Sequence, residues 1–123
     1  LAGADVAVAC FEENDITRCK SPLKVVEYMA AGKAIVASDV GEVADMLGGC
    51  GVLTKPGDPV SLAQGIITLL NDKNKREELG RAARQKAEMR FCWSVTTRNV
   101  LRAYCRALTF YQNRLALKKT NIR

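Results

Sequence analysis

Val6 to Phe11 (Val-Ala-Val-Ala-Cys-Phe) is an unbroken apolar run. Short runs of this kind suit strands that are covered on both faces, as in parallel sheets. Glu12 to Lys20 is polar and irregular, and reads as a loop at the carboxyl end of that strand. A helix is expected over residues 22–31, with Leu23, Val26, Met29 and Ala30 on one face, and Ala34 to Ala37 follows as a second buried strand. Val40 to Leu47 reads as a loop plus a short helix, punctuated by Gly48, Gly49 and Gly51, and Gly51 to Thr54 as a third strand. Lys55-Pro-Gly-Asp-Pro59 is a turn that becomes a helix start, with Asp58 as the cap and Pro59 in the first turn. Leu62, Ile66, Leu69 and Leu70 line one side of the helix that runs to about Asn71. A charged helix from Lys73 to about Arg90 keeps a thin apolar seam of Leu79, Ala83 and Ala87. The last helix, about Ser94 to Lys118, repeats Val100, Leu101, Tyr104, Leu108, Tyr111 and Leu115 at helical spacing. Strands alternating with helices predict an open α/β sheet, parallel and flanked by helices, in one domain over residues 1–123. Ligands of such sheets bind beyond the carboxyl ends of the strands, where Glu12–Lys20, Ser21 and Asp39–Glu42 fall.

Residues 21–39, Ser-Pro-Leu-Lys-Val-Val-Glu-Tyr-Met-Ala-Ala-Gly-Lys-Ala-Ile-Val-Ala-Ser-Asp, carry the most chemistry. Ser21 suits an N-cap, where its hydroxyl accepts from an orphan backbone amide. Pro22 suits the first helical position, and Gly32 the stop. Unpaired amides and the positive end of the helix dipole make such a start an anion site. Glu27, one turn further in, is placed to accept from hydroxyls. A phosphate site beside a carboxylate suits a nucleotide with its ribose.

Composition narrows the classes without choosing one. No window approaches a membrane span. The N-terminus shows neither an initiator Met nor a basic stretch before an apolar run, so the chain reads as a fragment of a longer polypeptide. Five scattered cysteines form no Cys-x-x-Cys pair, and the chain has no histidine. Reduced thiols in a cytoplasmic protein, with no metal site, are therefore expected. Residues 1–72 hold ten acidic and five basic side chains, whereas residues 73–123 hold three and fourteen. The basic half suits a solvated face or an anionic partner. Its aromatics follow a helix face instead of forming a platform with basic neighbours, so nucleic acid ranks last.

The stretch from Ser21 to Asp39 resembles the signature of the retaining GT-B glycosyltransferases, the large group 1 family that includes sucrose synthases and bacterial mannosyl- and glucosyltransferases. The likeness continues through Gly51-Val-Leu-Thr-Lys-Pro-Gly-Asp-Pro59, an amphipathic helix and Phe91-x-Trp93, and covers about Ala4 to Tyr104. It implies the second half of a Rossmann-like C-terminal domain that binds a nucleotide-sugar donor (a UDP-, GDP- or ADP-sugar). The implied activity is retaining transfer of a hexose to a glycan or lipid-linked acceptor, often in the cell envelope. No metal and no other cofactor is implied, since helix amides and basic side chains stabilise the leaving diphosphate.

By the same resemblance Glu27 matches the second glutamate of the family's Glu-x₇-Glu pattern and accepts from the ribose hydroxyls. The amides around Leu23 and Lys24 match the turn that holds the diphosphate. The first glutamate of the pattern falls on Cys19, and a thiol is a poor acceptor, so the usual contact to the donor sugar is absent or comes from Glu12 or Glu13. The basic pair that clamps the diphosphate and the acceptor-holding N-terminal domain lie outside this chain, so these residues alone are expected to be inactive. A nucleotide-binding module without catalysis is the alternative reading. Lys24 is read either as a phosphate contact or as a solvated cation, and Glu42, like Asp39, either as a site residue or as a turn residue. No catalytic residue is assigned. Arg98, Arg102 and Arg106 stack along one helix face. That row is either solvated or a peripheral contact with an anionic membrane on its cytoplasmic side.

Overall fold

The computed structural model describes residues 1–120, with side chains to Arg114, so the side chain of Leu115 lies outside the described residues. Residues 1–89 form one compact unit, and a second begins at Arg90.

In the first unit three parallel strands, β1 (Val6–Ala9), β2 (Ala34–Ser38) and β3 (Val52–Thr54), lie in the order β1-β2-β3. Val6 pairs with Ala34 and Val36 with Val52. All five β2 residues are buried, which explains the run without alternation: a central parallel strand is covered on both faces. Ala34 and Val36 pack with Leu69 and are flanked by Val6, Val52, Leu62, Ile66 and Leu79. The opposite pleat carries Ile35, which is fully buried, as are Val25, Met29, Val43 and Leu47.

Between β1 and β2 come a single turn, α1 (Asp15–Arg18), and α2 (Leu23–Ala30). The turn stands where the composition suggested irregular loop. Asn14 and Thr17 close a reciprocal cap, with Thr17 N donating to Asn14 Oδ1 at 2.9 Å and Asn14 N to Thr17 Oγ1 at 3.0 Å. Helix α2 buries Val25 and Met29, while Leu23 and Ala30 face outward. Apolar residues surround this helix, so their spacing alone does not select the buried face. Gly32 ends α2 one residue beyond the Ala31 cap at φ 65°, with the amides of Gly32 and Lys33 returning to Met29 and Tyr28.

Helix α3 (Val43–Leu47) precedes β3, and α4 (Pro59–Asn71) follows it. The Asp58 carboxylate accepts from Val60 N and Ser61 N at 2.9 and 3.1 Å, as the sequence predicts for a cap before Pro59. In α5 (Lys73–Arg90), Gly80, Ala83 and Ala87 are buried. The guanidinium of Arg76 donates to the last carbonyls of α4, Leu69 and Leu70, and Arg84 donates to the Ala30 carbonyl at the end of α2.

The second unit, taken by itself, is α6 (Trp93–Thr120) with the residues leading into it. Helical geometry sets the Arg98, Arg102 and Arg106 row opposite the stripe of Val100, Tyr104, Leu108 and Tyr111.

Candidate functional site

The carboxyl edge of the sheet is built by three loops, each leaving one strand. The first runs from Cys10 to Pro22 and delivers the start of α2. Here the structure departs from the expected cap. Pro22 itself is the N-cap (φ −75°, ψ 110°), and no side chain caps the helix. Ser21 stands one residue too early, and its hydroxyl donates to the Met46 sulfur of α3 at 3.7 Å. Ser21 therefore braces α2 against α3 and does not occupy the first amides. Val25 N closes onto Pro22 O at 3.0 Å, and no group among the described residues accepts from the Leu23 and Lys24 amides. Two N–H groups at the positive end of an eight-residue helix thus remain open.

The expected site residues divide around this turn. Leu23 is 68% exposed and lies beside the opening. Glu27 follows it by four positions on the same outward face, and its carboxylate is exposed with no partner among the described residues. Lys24 is half-buried. Its ammonium sits 4.4 Å above the centre of the Phe11 ring, so it is neither fully solvated nor paired with a carboxylate. The first turn of α2 carries no acidic residue.

Cys19 closes α1 and is an exposed free thiol. Of the two carboxylates read as substitutes for the missing one, Glu13 is engaged with Arg18 at 2.7 Å. Glu12 lines a groove together with Phe11. Glu42 is exposed at the start of α3 without capping it through its side chain. Its neighbour Gly41 has φ 58°, and a Cβ there would stand 2.8 Å from the Thr17 carbonyl. Only glycine lets the loop after β2 lie against α1, and that contact brings the Cys19 and Glu42 loops side by side.

Two residues that the motif did not single out organise this edge. Ser38, the last residue of β2, is buried, and its hydroxyl accepts from Phe11 N at 2.9 Å. This ties the loop after β1 to the end of β2. Phe11 and Ser38 then line an open groove of about 380 Å³ with Glu12, Lys55, Pro59 and Leu62. One signal was available in advance: a hydroxyl ending an apolar strand needs a partner when buried. Among the described residues no cluster of three or more His, Cys, Asp or Glu could hold a metal ion. No described helix is long and apolar enough to cross a membrane.

This arrangement can be set beside known proteins. Residues 1–72 match the family model of the glycosyl transferases group 1. A sulfoquinovosyl transferase of Arabidopsis thaliana is 32% identical over 98 residues, covering 75% of this chain and 19% of its own length. A phosphatidyl-myo-inositol mannosyltransferase of Mycobacterium leprae is 38% identical over 82 residues, covering 65% of this chain and 22% of that protein. The chain therefore spans about a fifth of the curated relatives it matches. Among solved structures, a sucrose-phosphate synthase of Thermosynechococcus elongatus superposes with a TM-score of 0.72 at 25% identity, over 86% of this chain and 26% of that one. A glycosyltransferase of Rickettsia africae shares the fold, with a TM-score of 0.73 at 19% identity over 85% of this chain and 28% of that one. With a parallel α/β sheet like theirs and a match over more than half its length, this chain belongs to the group 1 glycosyl transferases.

Proposed function

We propose that the chain is the donor-binding part of a retaining, metal-independent hexosyltransferase of GT-B type. The observation that carries this reading is the start of α2. The Leu23 and Lys24 amides are open there, Lys24 is a cation in the same turn, and the Glu27 carboxylate stands free one turn on. Desolvated amides and an ammonium stabilise the charge of a diphosphate, and a carboxylate accepts from two vicinal hydroxyls. A nucleoside diphosphate linked to a hexose matches that combination. In this reading the leaving phosphate helps to deprotonate the acceptor, and the open amides stabilise the charge it gains.

The acceptor is a glycan or a lipid-linked sugar, and it is held by a further domain outside these residues. The name of one relative, a phosphatidyl-myo-inositol mannosyltransferase, agrees with a lipid acceptor. Reduced cysteines suit a cytoplasmic location, and the Arg98, Arg102 and Arg106 row suits peripheral contact with an anionic membrane. A second reading, a nucleotide-binding module without transfer, is favoured by one observation. The position expected to contact the donor sugar holds Cys19, and Glu13 is engaged elsewhere.

Titrating the chain with UDP, GDP and ADP, and then with their sugars, tests both readings. Selective binding of one nucleotide, with transfer when the complete polypeptide is supplied, supports the enzyme. Selective binding without hydrolysis or transfer, even in the complete polypeptide, supports the module. Absence of binding to all three in the complete polypeptide removes both.

A further inference from the structure

We propose that Phe11, its backbone amide tied to Ser38, is a positioning residue for the diphosphate site: its ring holds the Lys24 ammonium at the open first turn of α2. The inference rests on the donor-binding reading above and deepens it by naming what orients the site's only first-turn cation.

Three observations lead to it. First, a lysine in the first turn opposes the helix dipole, because cations are stabilised at the other end of a helix. Helix α2 has this lysine and no first-turn acid. Second, Lys24 pairs with no carboxylate among the described residues, although Glu27 lies one turn away; the ammonium rests 4.4 Å from the Phe11 ring centre instead. A carboxylate would neutralise the charge. A ring face holds it in place and leaves the full positive charge for an incoming anion. Third, the ring has a fixed base. Phe11 N donates to the buried Ser38 hydroxyl at 2.9 Å, so the loop that carries the aromatic is tied to the central strand. Helical side chains lean toward the N-terminus, which directs Lys24 toward the same side as the open amides. A local arrangement that opposes helix preference and is braced by two other elements is what a binding site produces.

The test is calorimetric titration of the complete chain with UDP, GDP and ADP. Lys24→Ala is expected to weaken the preferred diphosphate roughly tenfold. Phe11→Leu is expected to weaken it about two- to fivefold, and Phe11→Tyr to restore it. In the Lys24→Ala background, Phe11→Leu is expected to add nothing, because its effect passes through the ammonium. Equal weakening by Phe11→Leu in both backgrounds overturns the proposal, since it marks a merely structural role. If Phe11→Leu fails to fold, stepwise fluorination of the Phe11 ring keeps the shape and drains its electron density. Affinity must then fall with each fluorine, and unchanged affinity overturns the proposal. No binding by the wild-type chain overturns this inference for the chain as it stands. Binding by wild type with no Phe11 effect rejects this inference alone and leaves the donor-binding reading intact.

Discussion

The amide of Phe11 donates to the hydroxyl of Ser38 at 2.9 Å across 27 residues of sequence, joining the carboxyl ends of two neighbouring strands. Beyond Ala9 and Ala37 the backbone ladder between β1 and β2 has ended, so a side chain continues it. The loop that shapes the candidate site thereby starts from a fixed point.

Ser38→Ala removes the acceptor and leaves the Phe11 amide without one. The expected loss is about 1–2 kcal/mol, because an unsatisfied, partly buried donor retains much of its desolvation cost. Urea denaturation checks this: the midpoint falls while the slope is unchanged. An unaltered midpoint would show that water replaces the hydroxyl without cost.

Gly80 and Gly65 sit on two helices at close approaches of different kinds. A Cβ on Gly80 would overlap the carbonyl oxygen of Gly32, which is backbone and is held at φ 65°. A Cβ on Gly65 would stand 2.9 Å from the Val36 methyl and 3.1 Å from the Thr54 methyl, both of which are side-chain atoms. Alanine gains about 0.8–1 kcal/mol of helix propensity at either position. Against that gain, overpacking costs about 1–3 kcal/mol, with the larger cost where backbone must move. Gly80→Ala is therefore expected to lower thermal stability more than Gly65→Ala. The reverse order in a calorimetric scan would contradict the assignment of the tighter contact.

Glu27 is exposed and has no partner among the described residues, so Glu27→Ala should change stability by no more than about 0.5 kcal/mol. Its loss from a ribose site should weaken nucleotide binding about 10- to 100-fold, the range for hydrogen bonds to charged groups. Donor titration and denaturation of the same variant separate the two effects. A variant equally stable and equally competent to bind would remove Glu27 from the site.

Cys92 precedes α6, and its sulfur lies 3.0 Å from the Ser94 hydroxyl. That hydrogen bond first, and the Val95 amide second, hold the thiol below its ordinary pKa by favouring the thiolate. A depressed folded value stabilises the fold above the unfolded pKa, and the contribution disappears as pH falls through the folded one. Alkylation by iodoacetamide, followed site by site with mass spectrometry, should show Cys92 reacting with a midpoint below that of a free cysteine peptide. Ser94→Ala should move that midpoint upward. A midpoint indifferent to Ser94 would assign the shift to the helix start alone.

Legibility in the sequence followed the range of the interaction responsible. The Asp58 cap, Pro59 in the first turn and the Gly32 stop act within a few residues, and the buried strand showed as an unbroken apolar run, so each was readable locally. Helix α1 was missed because its reciprocal Asn14–Thr17 cap lies in a segment too short and polar to show periodicity. Ser21 was misread by one position: a Ser-Pro pair permits the half-helical residue to be either member, and the contact with Met46 decided for proline. The helix start and Glu27 beside it were read as an anion site with a carboxylate from the helix's own residues and spacing, and the resemblance then matched them to a diphosphate and a ribose.

By itself, the order of apolar runs, glycines and prolines determined the three strands and every helix but α1, the parallel pairing and the edge where a ligand would lie, because those features follow from backbone conformation and strand period. Only the tertiary structure decided that Ser21 turns to Met46, that Lys24 rests on Phe11 and that Phe11 is held by Ser38. These partners are separated by 25, 13 and 27 positions. Which of them meet depends on how the strands stand beside one another and where each loop returns, and local spacing contains neither.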